Sequence, residues 1–139
     1  MIDYELVDHT ADIGIIVRAK DLKNIFLDSA LAMFDVIAEA PANFHGLKEK
    51  KYPICINAKD EKELLVFWLS ELLSLSDCED VYFADFDIQR LSPTEIAAQA
   101  SGFPRRYFTG KREVKAVTYH DLKIQKREDG LEAQVIFDV

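Results

Sequence analysis

The segment from Glu63 to Leu75 constrains this chain more than any other. Leu64, Leu65, Phe67, Trp68, Leu69, Leu72, Leu73 and Leu75 leave only Glu63, Ser70, Glu71 and Ser74 as its polar side. A surface helix carries one apolar stripe opposite a polar face. So little polar surface predicts a helix buried on most of its circumference, which the rest of the chain must enclose. Asp60, with Glu63 three residues on, predicts a capping box at its start. At 139 residues the chain is long enough to build that enclosure as one domain, 1–139, without disulfides or metal staples.

The flanking sequence predicts what does the enclosing. Asp21 reads as the N-cap of another helix running to about residue 38. Its stripe is Leu22, Ile25, Phe26, Ala30, Met33, Phe34 and Ile37, and Pro41 is expected to close it. Ile2, Tyr4 and Leu6 alternate with Asp3 and Glu5, the period of a half-buried strand. A polar connection over 8–12 leads to a second strand carrying Ile13, Ile15 and Val17, with Gly14 allowing close approach on its other face. After a polar loop over 42–51, a short strand is expected over 52–57. The remainder reads as strands 81–89 and 94–101 around a turn at 90–93, a loop bracketed by Gly102 and Gly110, then strands 114–125 and 131–139. Asp129-Gly130 marks the hairpin between the last two. The class is α+β: two helices packed against a mostly antiparallel or mixed β-sheet system.

Composition narrows function. The net charge of −8 argues against whole-surface attraction to nucleic acid or anionic membrane. A local basic patch still acts within a Debye length. Arg105, Arg106, Lys111, Arg112 and Lys115, with Tyr107 and Phe108 interleaved, form one such segment. It reads either as a solvated loop or as a holder of phosphates. Lys115 stands apart because the strand pattern beside Val114 and Ala116 aims it at an acid or a phosphate. Cys55 alternates with Ile54 and Ile56 and reads as a buried small apolar residue, and Cys78 lies far from it in sequence. The first residues lack a signal-peptide pattern, and the longest apolar run, 64–69, is far too short to span a bilayer. The expected location is cytoplasmic, with no membrane partner.

The chemistry-bearing residues lie near the two ends of the sequence. Asp8-His9-Thr10-Ala11-Asp12 precedes an apolar strand, and Asp138 interrupts the run Val135-Ile136-Phe137-Asp138-Val139. A carboxylate flanked by core residues is costly unless it is paired, solvated or bound to a cation. Both faces of the last strand are apolar, which predicts an interior strand. Carboxylates suit calcium, manganese or magnesium, and the backbone carboxylate of Val139 would add an oxygen. The plainer alternative is that Asp12 caps a turn and Asp138 is merely solvated. His9 could orient Asp8. His120, on a strand face with Thr118 and Leu122, reads as a structural residue or as a third catalytic group. No Gly-rich phosphate loop, nucleophile elbow or H-E-x-x-H helix is present.

Four ordered blocks carry a family resemblance: Asp8-His9-Thr10-Ala11-Asp12-Ile13-Gly14-Ile15, the Leu64 to Leu73 helix, Val114-Lys115-Ala116-Val117-Thr118-Tyr119-His120, and Asp138-Val139. Together they resemble the archease family. The resemblance implies an accessory protein rather than an enzyme. Its partner would be an RtcB-type RNA ligase, engaged transiently, with indirect contact to GTP or tRNA. That ligase joins RNA ends in tRNA splicing and RNA repair after attaching GMP to its own histidine, and the archease promotes this guanylylation and repeated turnover. The resemblance further implies a divalent metal ion on Asp12, Asp138 and Val139, with Lys115 as a functional neighbour and Asp8 and His9 within the first motif. The segment 101–112 departs from the family in being more basic and aromatic. Phe67 and Ser70 stand where polar residues are expected. Two other readings are a metal-dependent phosphoesterase using Asp12, Asp138 and His120, and a chaperone-like partner of a tRNA-modifying enzyme.

Overall fold

The computed structural model describes residues 3–8 and 11–139. The strands are β1 (Glu5–Asp8), β2 (Asp12–Ala19), β3 (Ala38–Glu39), β4 (Lys50–Asn57), β5 (Val81–Ser92), β6 (Glu95–Pro104), β7 (Thr109–Gly110), β8 (Ala116–Arg127) and β9 (Gly130–Asp138). Helix α1 spans Leu22–Ile37 and helix α2 spans Glu61–Glu79. They form a four-stranded sheet in the order β1-β2-β9-β8, a three-stranded sheet β4-β6-β5 and a small β3-β7 pair. Every registered pair among the described residues is antiparallel. Each helix packs on strands of both larger sheets. This is the expected α+β arrangement.

Both helix starts follow from their caps. The Asn24 N–H donates to Asp21 Oδ1 at 2.9 Å, and the Glu63 N–H donates to Asp60 Oδ1 at 2.9 Å, each satisfying a donor with no partner inside its helix. Glu63 Oε1 reaches back to accept from the Lys59 N–H at 3.1 Å, one residue before the expected capping-box partner. Helix α2 is buried along most of its circumference: Leu64, Leu65, Trp68, Leu69 and Leu72 are inaccessible to solvent. The Trp68 indole N–H donates to the Phe26 carbonyl at 3.0 Å, joining α2 to α1 while satisfying the one polar atom of a fully buried ring. Phe67 is the exception and lies exposed, because it projects from the remaining solvent side of α2.

Several boundaries differ from the sequence expectation. Among the described residues the first strand is 5–8, against the expected 2–6; Ile2 lies outside the described residues, and Leu6 is exposed on a sheet edge. Helix α1 ends at Ile37 because Ala38 turns extended and pairs with Gly110; Pro41 plays no part in stopping it. Cys55 is exposed, since β4 buries Tyr52 and Ile54 and turns alternate residues outward. Strands β5 and β6 run almost to the hairpin tip, with Ser92 opposite Glu95. Strand β8 begins after Lys115 rather than before it. The Asp-Gly signal is borne out as a tight β8–β9 hairpin, with Arg127 opposite Gly130. Gly130 has φ 154°, and a Cβ there would collide with the Ala19 carbonyl oxygen, so the position requires glycine.

Candidate functional site

Asp12 opens β2 and Asp138 closes β9, and the antiparallel register sets them directly opposite one another. Strand β9 is interior, flanked by β2 and β8, as its two apolar faces predict. Neighbours at a directly opposed pair sit about 4.5–5.5 Å apart between Cα atoms and project to the same face. Two carboxylates in that relation repel. Asp12 is half-buried, and its Oδ1 is fully buried without a hydrogen-bond partner among the described residues. A buried carboxylate oxygen left in this state favours a cation.

The local sequence explains the alignment. Ile13, Ile15 and Val17 of β2 and Val135 and Phe137 of β9 bury their side chains against the helices, which fixes the register. A one-residue slip would turn this whole set outward. On the opposite face Gly14 lies beneath Ile136, and a Cβ at residue 14 would stand 2.7 Å from Ile136 Cδ1. Gly14 thereby lets β2 and β9 keep close contact within two residues of the acid pair.

Lys115, the residue just before β8, joins this site. Its backbone N–H donates to the Asp138 carbonyl at 2.7 Å, and Ala116 pairs with Asp138 across the β8–β9 ladder. Its side chain is exposed and makes no ion pair among the described residues. Asp8 takes a different position. It pairs with Ile13, so by register it faces the helix side of the sheet, opposite to Asp12. There it meets Arg112, whose Nη1 lies 3.4 Å from Asp8 Oδ2. His9 lies outside the described residues.

His120 is not part of the constellation. Between Thr118 and Lys123 the β8–β9 register breaks, and Asp121 adopts a left-handed backbone with φ 50°. The resulting bulge destroys the alternation that would align Thr118, His120 and Leu122 on one face. His120 is exposed and lies 3.3 Å from its neighbour Asp121.

The basic segment has a structural task that the sequence did not disclose. Neither helix carries a basic residue in its last turn, so neither offsets the negative end of its own dipole. The 105–112 segment supplies the missing cations. Arg105 Nη2 donates to the buried Ser76 Oγ and to Asp77 Oδ1 near the end of α2. The N–H groups of Lys111 and Arg112 donate to the Ile37 carbonyl at the end of α1, at 2.9 and 3.2 Å. Lys111 also lies 4.0 Å from Asp35, which accepts a 2.6 Å hydrogen bond from the Tyr4 hydroxyl. Burial, together with the Asp35 carboxylate, pushes the Tyr4 phenol well above its ordinary value. Between these anchors and Lys115 lies a groove of about 730 Å3, floored by Leu73, Tyr82, Phe108 and Val114 and rimmed by Arg112 and Lys115. Its lining comes from segments far apart in sequence, which is why no local pattern announces it.

A hard divalent cation fits the acid pair: two carboxylates share one sheet face, and one of their oxygens is buried and unpartnered. No three His, Cys, Asp or Glu side chains converge as a metal cluster among the described residues. Among the described residues, main-chain oxygens are the further donors at hand, with Val139 adjacent.

Comparison with known proteins places this arrangement in a family. Residues 4–139 match the model of the Archease protein family. The chain is 38% identical to the archease of Methanosarcina acetivorans over 98% of its length and 95% of that protein. It is 37% identical to the archease of Pyrococcus furiosus over the whole of both chains. The solution structure of a Methanobacterium thermoautotrophicum protein superposes with a TM-score of 0.66 at 27% identity, covering 98% of each chain. A crystal structure from Thermotoga maritima, described as an archease and possible chaperone, shares the fold with a TM-score of 0.68 at 19% identity, covering 96% of this chain and 94% of that one. The chain belongs to the archease family. No helix among the described residues is long and apolar enough to cross a membrane.

Proposed function

We propose that this protein activates an RtcB-type RNA ligase in tRNA splicing and RNA repair, promoting guanylylation of the ligase and its repeated turnover. Family membership supports the partner class. The observation that carries the reading is the directly opposed Asp12–Asp138 pair, with Asp12 Oδ1 buried and unpartnered. Asp12, Asp138 and an oxygen of Val139 would hold a calcium, manganese or magnesium ion, which supplies a focused positive charge and open coordination positions for external oxygens.

The chain's own residues do the positioning. The β2–β9 ladder holds the two acids in register, and the Lys115 N–H fixes the main chain at Asp138. The Lys115 ammonium, free of an acid partner among the described residues, offsets negative charge on a phosphate as the ligase is guanylylated. Contact with GTP or tRNA is indirect, through the ligase. The protein itself acts as an activator and performs no group transfer.

Reconstitution with a purified RtcB-type ligase tests this. Wild-type protein should accelerate formation of the ligase–GMP adduct, and Asp138→Ala should lose most of that acceleration. Equal acceleration by both would remove the acid pair from the mechanism. A second reading, a chaperone-like partner of a tRNA-modifying enzyme, draws on the description of the Thermotoga maritima relative as a possible chaperone. Co-purification with a tRNA methyltransferase and not with an RNA ligase would favour it. The phosphoesterase reading has less support, because His120 stands on the β8 bulge and not with the acids.

A further inference from the structure

The groove beside Lys115 has a composition that the acid pair does not explain. Its lining includes four cations, Arg105, Lys111, Arg112 and Lys115, against two acids, Asp77 and Glu113. The whole chain carries a net charge of −8, so this concavity reverses the sign of the surrounding surface. Low-dielectric walls focus such a local field and raise the concentration of anions at the site.

Not all four cations are free to serve a ligand. Arg105 is committed to Ser76 and Asp77 at the end of α2. Lys111 and Arg112 are held loosely, by single contacts of 4.0 Å to Asp35 and 3.4 Å to Asp8, both between partly exposed groups. Solvent-screened pairs of this kind contribute little, so an incoming anion displaces or shares them at little cost. Lys115 has no acid partner among the described residues. The backbone that carries these three cations is pinned at both ends, by the Ile37 carbonyl and by the Asp138 carbonyl. The backbone course is therefore set before any ligand arrives, which leaves only the side chains to be ordered on binding.

We propose that this groove binds a nucleotide, with its phosphate on Lys111, Arg112 and Lys115 and its base against the wall formed by Tyr82, Phe108 and Val114. Three cations within five residues match a multiply charged phosphate better than a monocarboxylate, and the guanidinium of Arg112 offers a planar fork of donors. The volume of about 730 Å3 is far too large for a bare phosphate and falls within the range of small-molecule sites. Tyr82 and Phe108 stack on one another at 4.1 Å between ring centroids and are buried, so this apolar wall of the groove is rigid. The proposal stands whether or not a ligase is the partner and does not require a bound metal ion.

An amide NMR titration of the full chain in EDTA, with AMP, adenosine and inorganic phosphate as separate probes, tests it. AMP should shift the Phe108 and Lys111 to Lys115 amides saturably. Adenosine and phosphate should each bind at least tenfold more weakly. Arg112→Glu should weaken AMP at least tenfold while keeping a native amide spectrum, and Lys115→Gln should weaken it severalfold if Arg112→Glu fails to fold. The proposal is overturned by absent or non-saturating shifts, by adenosine or phosphate matching AMP, or by wild-type affinity in the folded variants. A short 3′-phosphorylated RNA that binds these residues when AMP does not would also overturn it, in favour of a polymer site.

Discussion

The two larger sheets pack against the same pair of helices yet differ in what they carry. The three-stranded sheet contributes packing. Its Phe83 and Phe86 meet one another and Phe34 of α1 in an aromatic cluster that Tyr52 joins through Phe83, their centroids 5.5 Å apart in a T-shaped arrangement. The four-stranded sheet is equally apolar on its inner face, but one end of it breaks the pattern with opposed acids. A strand interior tolerates only groups that satisfy each other, whereas a strand end beside a solvent-facing loop can hold charges in reserve. Stability and candidate function are thereby assigned to different sheets around one core.

Substitutions should separate the two. The largest expected effect is Phe83→Ala in the three-stranded sheet, which removes a fully buried ring. It should destabilise by about 3–5 kcal/mol in chemical denaturation and leave divalent-ion affinity of the folded fraction unchanged. Gly130→Ala at the hairpin of the four-stranded sheet should follow, at about 1–3 kcal/mol, because φ 154° is strained for any residue with a Cβ. Asp60→Ala, which removes the cap of the shared helix α2, should cost about 1 kcal/mol by the same measurement.

The alkaline limb of stability should also divide the molecule. Folding raises the Tyr4 phenol pKa, through burial first and Asp35 second. A raised folded value means that the folded state keeps a proton the unfolded state releases. The stabilisation is therefore fully present below the ordinary tyrosine value of about 10 and is lost as pH rises beyond it. Tyr4→Phe should lower Tm in the neutral range, where the hydrogen bond to Asp35 is lost, and flatten the fall of Tm above about pH 10. Tyr82, raised by its own burial, should keep part of the slope.

Much of this was legible in the sequence where one local rule acted alone. Asp21 and Asp60 cap helices because a short carboxylate before an apolar stripe has an obvious donor to accept. The interior position of β9 followed from apolar residues on both faces. Asp12 and Asp138 could be suspected as partners, but only the pairing of β2 with β9 makes them neighbours. The failures lie where tertiary pairing overrode local pattern. Cys55 alternates with two isoleucines, and alternation itself turned it outward. Helix α1 ends where expected, but Ala38 stops it by finding a strand partner in Gly110, more than seventy residues away, and Pro41 does not. The β8 bulge removed His120 from an expected face. The Arg105 to Arg112 segment reads as a solvated loop or a holder of phosphates, and neither reading discloses that in the fold it serves the ends of two helices whose own last turns lack cations.

The smallest predicted stability effect belongs to the acid pair and is the most informative. Asp12→Asn removes one of two like charges directly opposed across a ladder, a repulsion of about 0.2–1 kcal/mol. Without added metal the variant should be as stable as wild type or slightly more so. The decisive measurement is a calorimetric titration of wild type, Asp12→Asn and Asp138→Ala with manganese and calcium. Wild type should bind one ion per chain, and each variant should lose at least tenfold in affinity with the fold retained. Wild-type affinity in either folded variant, or no binding by wild type at millimolar ion, would contradict this.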